Sequence, residues 1–357
     1  MTDVTESKER LLQTVSKYRT QIMGFIAMWI FIFHVRNEAP VFLGVPFLCD
    51  VDIFFVNIGF NGVDVFFFLS GWGLYRSINE NNVAAFYKRR YRRLVPSYVF
   101  ACVATVILYN RDIVNFIKAV TCWSFLTKDI HETAWFIPAI AITYLFFPLY
   151  NSLFEKARNK YVFAAIAIAV WAVLTIAGDM IFNRTDIYLY VGRIPIFIIG
   201  TVFGWFMYTG QKRSLPLVWF MLIIMFIAGI QTEYYVVFKK IELSNAAFSF
   251  AVPGILIGIP MCFLMARLFR RLDKVTFIQK IFGFIGNISL EFYAAQDAII
   301  YTLRHRIMAS GVPFNKHLFV LIVFLLSLGT GYVLNLVTMA VIGKMDGKPV
   351  FTAKEKA

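Results

Sequence analysis

Apolar runs of about 20 residues recur along almost the whole chain, each closed by a short polar or charged break. A helix needs roughly 20 such residues to cross a bilayer. Ten windows qualify, at about residues 20–36, 56–75, 94–110, 134–152, 161–179, 190–209, 214–231, 247–267, 281–303 and 317–343. Residues 41–55 are interrupted by Pro46, Asp50 and Asp52 and read as an interfacial or re-entrant segment; residues 112–126 (DIVNFIKAVTCWSFL) are too short and too polar to span. The first window is not a cleaved leader, because it carries a His, lacks a small-residue cleavage pattern and precedes nine further windows. No short-period repeat and no Gly/Ser- or Pro-rich linker separates domains. The pattern predicts an all-α membrane protein of about ten transmembrane helices, with tails at 1–18 and 344–357 and one transmembrane domain over 19–343.

Composition agrees. Of 357 residues, 59% are hydrophobic and only 16% charged, against roughly 25% charged in a typical soluble domain. That excludes an ordinary soluble enzyme, a disordered chain and a coiled coil. The net charge of +14 would suggest nucleic acid in a soluble protein, but its distribution gives it another meaning. If the N-terminus and every second loop share one side, that side holds 24 of the 35 Lys and Arg residues. Positive residues are retained in the cytoplasm, so both termini are expected there, and no nucleic-acid partner is implied. The four cysteines, Cys49, Cys102, Cys122 and Cys262, show no metal spacing. Cys49 and Cys122 fall outside on this topology and could pair, although two unpaired thiols are the plainer reading.

Ionisable groups inside a membrane are costly and therefore candidates for function. His34 ends the first span, and imidazole exchanges its proton near neutral pH, which suits a general base for a hydroxyl nucleophile. Asp64, in GFNGVDVFFFLSGWGLY, is placed either to orient the His34 ring or to cap a helix start. The loop 86–96, FYKRRYRRLVP, puts Lys88, Arg89, Arg90, Arg92 and Arg93 within six positions. Such forks match phosphate oxygens, and they equally anchor topology and attract anionic lipid. Trp135 opens the fourth span as an aromatic-belt residue, and Arg193 opens the sixth, snorkelling or facing a polar cavity. Glu291, Gln296 and Asp297 lie together in the ninth and read as a buried polar lining.

These segments together resemble the acyltransferase-3 family of integral membrane acyltransferases. The resemblance rests on a first span ending in His34, then Gly62, Val63, Asp64, Phe66, Phe67, Ser70 and Gly71. It continues through Phe86, Tyr87, Arg89, Arg90, Arg93 and Pro96; Trp135 and Phe136; Arg193, Pro195, Phe197 and Gly200; and Gly286, Ser289, Leu290 and Tyr293. Two positions depart from the pattern. The family often has Arg or Lys where Met23 stands, and Arg19, one helical turn earlier, takes that place. Gln296 stands where a His is common.

The resemblance implies a multi-pass protein of the bacterial inner membrane. It implies transfer of an acyl group, commonly acetyl, from cytoplasmic acyl-CoA to a hydroxyl of an envelope glycan or lipid-linked saccharide, without a metal. His34 would be the base and Asp64 its orienting acid. Arg19, Arg89, Arg90 and Arg93 would hold the acyl-CoA, and Trp135, Arg193, Tyr293 and Gln296 would line the acceptor side. The partners are then membrane lipid, acyl-CoA and the saccharide, with self-association left open. A rival reading is a transporter or flippase of a polar envelope precursor, with Arg193, Glu291 and Asp297 along its path.

Overall fold

A computed structural model of the protein describes residues 12–37, 49–108, 112–127, 134–182, 187–210, 218–310 and 315–346. Among these residues there is no β-strand. The α-helices, in chain order, are α1 (Arg19–His34), α2 (Cys49–Asn57), α3 (Gly62–Asn79), α4 (Val83–Leu108), α5 (Ile113–Val120), α6 (Trp123–Thr127), α7 (Phe136–Lys156), α8 (Lys160–Phe182), α9 (Tyr188–Val191), α10 (Ile194–Tyr208), α11 (Val218–Glu233), α12 (Ala246–Arg271), α13 (Thr276–Asn287), α14 (Ser289–Ser310) and α15 (Lys316–Met345). A 3-10 turn, Ile58–Asn61, joins α2 to α3, and a π-helical turn, Tyr234–Phe238, extends α11.

Polar side chains start several of these helices by accepting from the unpaired first-turn amides. Asp112 accepts from the Asn115 amide at 2.8 Å, Asn245 from Phe248 at 3.2 Å, and Asn315 from His317 and Leu318 at 2.9 and 3.1 Å.

Among the described residues, eight helical stretches are long and apolar enough to cross a membrane. They coincide with eight of the ten expected windows. The first window is helical, but α1 has only 16 residues. The ninth divides at Ile288 into α13 and α14, and α14 carries Glu291, Asp297, Arg304 and Arg306. Residues 112–126 form the two short helices α5 and α6, as their length suggested. Of the expected interfacial segment, residues 41–48 lie outside the described set; residues 49–55 belong to α2, which runs into α3 through the 3-10 turn.

The basic stretch at 86–96 is not a loop. It is helical throughout and forms the front half of α4, with Pro96 inside the helix. Arg, Lys, Leu and Tyr sustain a helix well enough, and helices in membranes tolerate a proline where neighbours re-satisfy the freed carbonyl.

The helices group into two compact units interleaved along the chain. The first contains α1 to α3, the part of α7 from Leu145 onward, and α8 to α13. Here α3 and α10 lie side by side along their lengths, α1 lies on α13, and α12 packs on α11 and α3. Glycine makes the two closest approaches possible. A Cβ at Gly200 would stand 3.0 Å from the Phe68 carbonyl carbon, and one at Gly286 would stand 2.8 Å from that of Thr20. Gly200 and Gly204 form a small-xxx-small pair, the device by which membrane helices bring backbones together. Phenylalanine fills the next layer: Phe68, Trp72, Phe203 and Phe263 meet edge-on or tilted, with the Phe68 and Phe203 centroids 5.3 Å apart.

The second unit contains α4 to α6, the start of α7 up to Tyr144, α14 and α15. In it α14 packs on α15, with Gly331 against the Phe292 backbone. The Tyr91 hydroxyl donates to the Ala141 carbonyl at 2.8 Å and that of Tyr98 to Ala119 at 2.7 Å, tying α4 to α7 and α5. Cys102, Cys122 and Cys262 are free thiols.

Candidate functional site

In the first unit, α1 carries candidate chemistry at both ends. Arg19, at its start, donates from Nη2 to the Leu69 carbonyl at 2.9 Å. Its guanidinium lies flat against Gly73, where any Cβ would come within 3.0 Å of Cζ. Arg19 thereby lines a cavity of about 420 Å³ together with Val15, Ser16, Leu69, Trp72, Gly73, Arg76, Glu80, Gly204, Met207 and Tyr208. The Arg19 guanidinium and that of Arg76, whose Nε donates to Glu80 Oε1 at 2.8 Å, flank an apolar wall of Leu69, Trp72 and Met207, a combination suited to an anionic amphiphile. The volume falls within the usual range for ligand clefts, roughly 300–1,000 Å³.

His34 is the last residue of α1 and is half-buried beside Phe33, with ring centroids 5.6 Å apart. The 3-10 turn fixes this end of the helix. A Cβ at Gly59 would lie 2.8 Å from both the Trp29 carbonyl oxygen and the Phe33 Cβ, and one at Gly62 would lie 2.8 Å from Ile30. Trp29 Nε1 donates to the Phe55 carbonyl at 2.9 Å, stacking the indole on Phe55.

Beyond the turn lies a group of fully buried polar side chains: Asn61, Asp64, Arg193 and Glu233. Arg193 Nη1 stands 3.4 Å from Asp64 Oδ2 and donates to the Phe250 carbonyl at 3.3 Å. The guanidinium also lies over the Phe250 and Phe60 rings, at 5.1 and 5.8 Å. Asn61 Nδ2 donates to Glu233 Oε1 at 3.0 Å and to the Ile58 carbonyl at 3.1 Å. Asp64 therefore has Arg193 as its charged partner, and neither carboxylate oxygen accepts a hydrogen bond from His34. It caps no helix end either, being the third residue of α3, where Gly254 and Gly258 close over it. Phe33, beside His34, reaches this group through Phe60, 5.6 Å away centroid to centroid.

The second unit brings together other expected residues. Arg93 Nη2 stands 3.5 Å from Glu291 Oε1, and Nη1 meets the Met339 sulfur at 3.4 Å. Glu291 is fully buried, while the Arg93 side chain keeps 35% of its surface exposed. Arg92 grips both oxygens of Asp346 at 2.8 Å. Arg89 is exposed, and Arg90 is half-buried with its guanidinium 5.9 Å from the Phe86 ring. The helical form of this stretch puts Arg89 and Arg93 on one face, four residues apart.

Trp135 is half-buried immediately before α7. The Phe136 amide approaches the Tyr293 hydroxyl oxygen at 3.4 Å, ring edge to ring face. Gln296 is buried, but Asp297 is exposed. The expected lining of Glu291, Gln296 and Asp297 is thus only partly formed. Six residues turn a helix through about 600°, leaving Glu291 and Asp297 about 120° apart around α14.

Two members of the buried group escaped the sequence reading. Glu233 lies two residues beyond the expected end of its span, and Asn61 was hidden in a run read only for Asp64. The available signal for Glu233 was the apolar run YYVVF that follows it, which carries the helix past the acid and so buries it.

No curated protein and no solved structure matches the chain. A family model described as an acyltransferase domain matches residues 23–336. The match begins inside α1, ends inside α15 and includes His34, Asp64, the basic front of α4, Trp135, Arg193, Tyr293 and Gln296, but not Arg19. It covers most of a chain whose helices alternate membrane-length apolar runs with buried ionisable groups. The chain belongs to the acyltransferase-3 family and is a membrane-embedded acyltransferase.

Proposed function

We propose that the protein moves an acetyl group from cytoplasmic acetyl-CoA to a hydroxyl of an envelope glycan or lipid-linked sugar, with His34 as the general base. The observation that carries this reading is the layout of α1. One end places Arg19 in a cationic, apolar-walled cavity, and the other presents His34. Their separation of 15 positions corresponds to roughly 22 Å of helix at 1.5 Å per residue, a distance that the long, thin pantetheine arm suits. The charge asymmetry of the loops puts the Arg19 end in the cytoplasm, where acyl-CoA is found.

In this reading Arg19 and Arg76 hold phosphate at the cavity of the first unit; Arg89 and Arg90 remain candidates for acyl-CoA binding in their own unit. His34 takes the proton of the acceptor hydroxyl as its oxygen attacks the thioester carbonyl. The carbon–sulfur bond breaks, and the proton passes to the departing thiolate. Asp64 does not orient the imidazole; its charge is spent on Arg193. Trp135, Tyr293 and Gln296 remain candidates for the acceptor side.

The test uses purified protein, radiolabelled acetyl-CoA and a glycan acceptor. His34→Ala abolishes transfer while retaining acetyl-CoA binding, and Arg19→Gln weakens that binding. Full transfer by His34→Ala would end the general-base assignment.

A further inference from the structure

The buried group in the first unit does not balance its charges. Asn61, Asp64, Arg193 and Glu233 are all 0% exposed. With every ionisable member charged, two carboxylates face one guanidinium and the group carries a net negative charge. Isolated charge of that kind is strongly disfavoured away from water, and more so at membrane depth. The charged groups acting on Glu233 are Arg193 and Asp64. The 3-10 turn contributes the Asn61 amide and the Ile58 carbonyl, and α12 contributes the Phe250 carbonyl, Gly254 and Gly258.

Both Asp64 oxygens and Arg193 Nε and Nη2 lack hydrogen-bond partners and are left to their mutual ion pair, while two further orphan atoms lie on a single hydrogen-bonded pair. Glu233 Oε2 and Asn61 Oδ1 are both buried without a hydrogen-bond partner, although Asn61 Nδ2 donates to the other oxygen of the same carboxyl group. Two orphan acceptors on one hydrogen-bonded pair are resolved by one proton. On Oε2 it becomes a donor, and the Asn61 carbonyl oxygen is the acceptor already attached to the partner amide. Carboxylic acid and carboxamide then pair through two hydrogen bonds. Arg193 is left with Asp64 alone, and that pair is neutral.

We infer that Glu233 is a positioning residue held in its protonated, neutral form, locked as an acid–amide pair to Asn61. Through that pair it anchors the 3-10 turn on which the His34 end of α1 is seated. Asn61 closes the turn, and Gly59 and Gly62 at either end of it touch Trp29, Phe33 and Ile30 of α1. This goes beyond the general-base reading, because it concerns a residue that touches no reacting atom and a proton that is not consumed.

The experiment compares Glu233→Gln and Glu233→Ala in the full-length protein. A glutamine reproduces the neutral acid: its carbonyl accepts from Asn61, and its amide donates to Asn61 Oδ1. The expected results are three. Infrared spectra at neutral pH show a protonated-carboxyl C=O band in the native protein that is missing from Glu233→Gln. Glu233→Gln keeps the native thermal midpoint and transfer rate. Glu233→Ala lowers the midpoint by several degrees and reduces transfer. A Glu233→Gln variant as damaged as Glu233→Ala, or one that loses no acid band, overturns the inference. The band and the midpoint are read without any acyl donor, so a failure of the His34 assignment leaves this test intact.

Discussion

Replacing Gly200 by Ala is the sharpest probe of how the first unit is held together. The added methyl would stand 3.0 Å from the Phe68 carbonyl carbon and 3.1 Å from its Cα, with the carbonyl oxygen nearer still. All three are backbone atoms of a helix, so none can rotate aside. Ordinary carbon contacts begin near 3.5 Å, and opening a seam by about 0.5–1 Å forfeits a quarter to a half of each contact's attraction. Added to the usual penalty for an overfilled interior, about 1–3 kcal/mol, this puts Gly200→Ala near the top of that range. Gly178 supplies the control. It lies in α8 with nothing within 4 Å of its would-be Cβ, so Gly178→Ala gains only helix propensity, about 0.5–1 kcal/mol. Thermal unfolding of the purified protein in one detergent should move the two variants in opposite directions. Gly200→Ala should also depress acyl transfer, because α3 carries Asp64 and α10 opens on Arg193, and separating them lengthens the 3.4 Å ion pair. A Gly200→Ala midpoint at or above the native one would refute the backbone-contact argument.

Arg93 is expected to matter for stability through its pairing with Glu291. Arg93→Ala leaves the buried Glu291 carboxylate without its cation and costs about 3 kcal/mol, the low end for a broken buried pair because Arg93 is itself partly solvated; adding Glu291→Gln should restore most of the lost thermal midpoint. The topology has its own check: an impermeant amine reagent applied from outside intact cells should label exposed Lys239 and spare Lys88, and the reverse pattern would invert the chain in the membrane.

Much of the architecture was legible because hydrophobic length is a one-dimensional signal. Eight apolar runs became helices long and apolar enough to cross a membrane, several of them extending well past the expected ends. The errors arose where three-dimensional context overrides the local pattern. The stretch FYKRRYRRLVP looks like a loop because it is charged and ends in Pro96, yet nothing in it resists a helix. The ninth window looks continuous, yet the chain turns at Ile288. Site residues were legible by type but not by partnership. Asp64 and Arg193 were both singled out, and only the fold makes them a pair. The partner first imagined for Asp64, His34, lies on a helix end that meets the buried group through phenylalanine rings. Glu233 was missed because the expected span stopped two residues short of it, before the apolar run YYVVF that buries it.

The first unit is assembled from distant parts of the chain, and that sets an order of assembly within it. Lys17, just before α1, bonds to Asp273, just before α13, across 256 residues of chain. The seam between Gly24 and Gly286 is similarly distant. The helix that carries His34 is therefore synthesised long before its partner α13. Until α13 emerges, the small-residue face of α1 has no native neighbour, and contacts this remote in sequence form slowly. A nascent chain arrested before residue 276 would hold the His34 end of α1 on its 3-10 turn but leave the Gly24 face of the same helix bare, so the α1–α13 seam closes only after most of the first unit has been made.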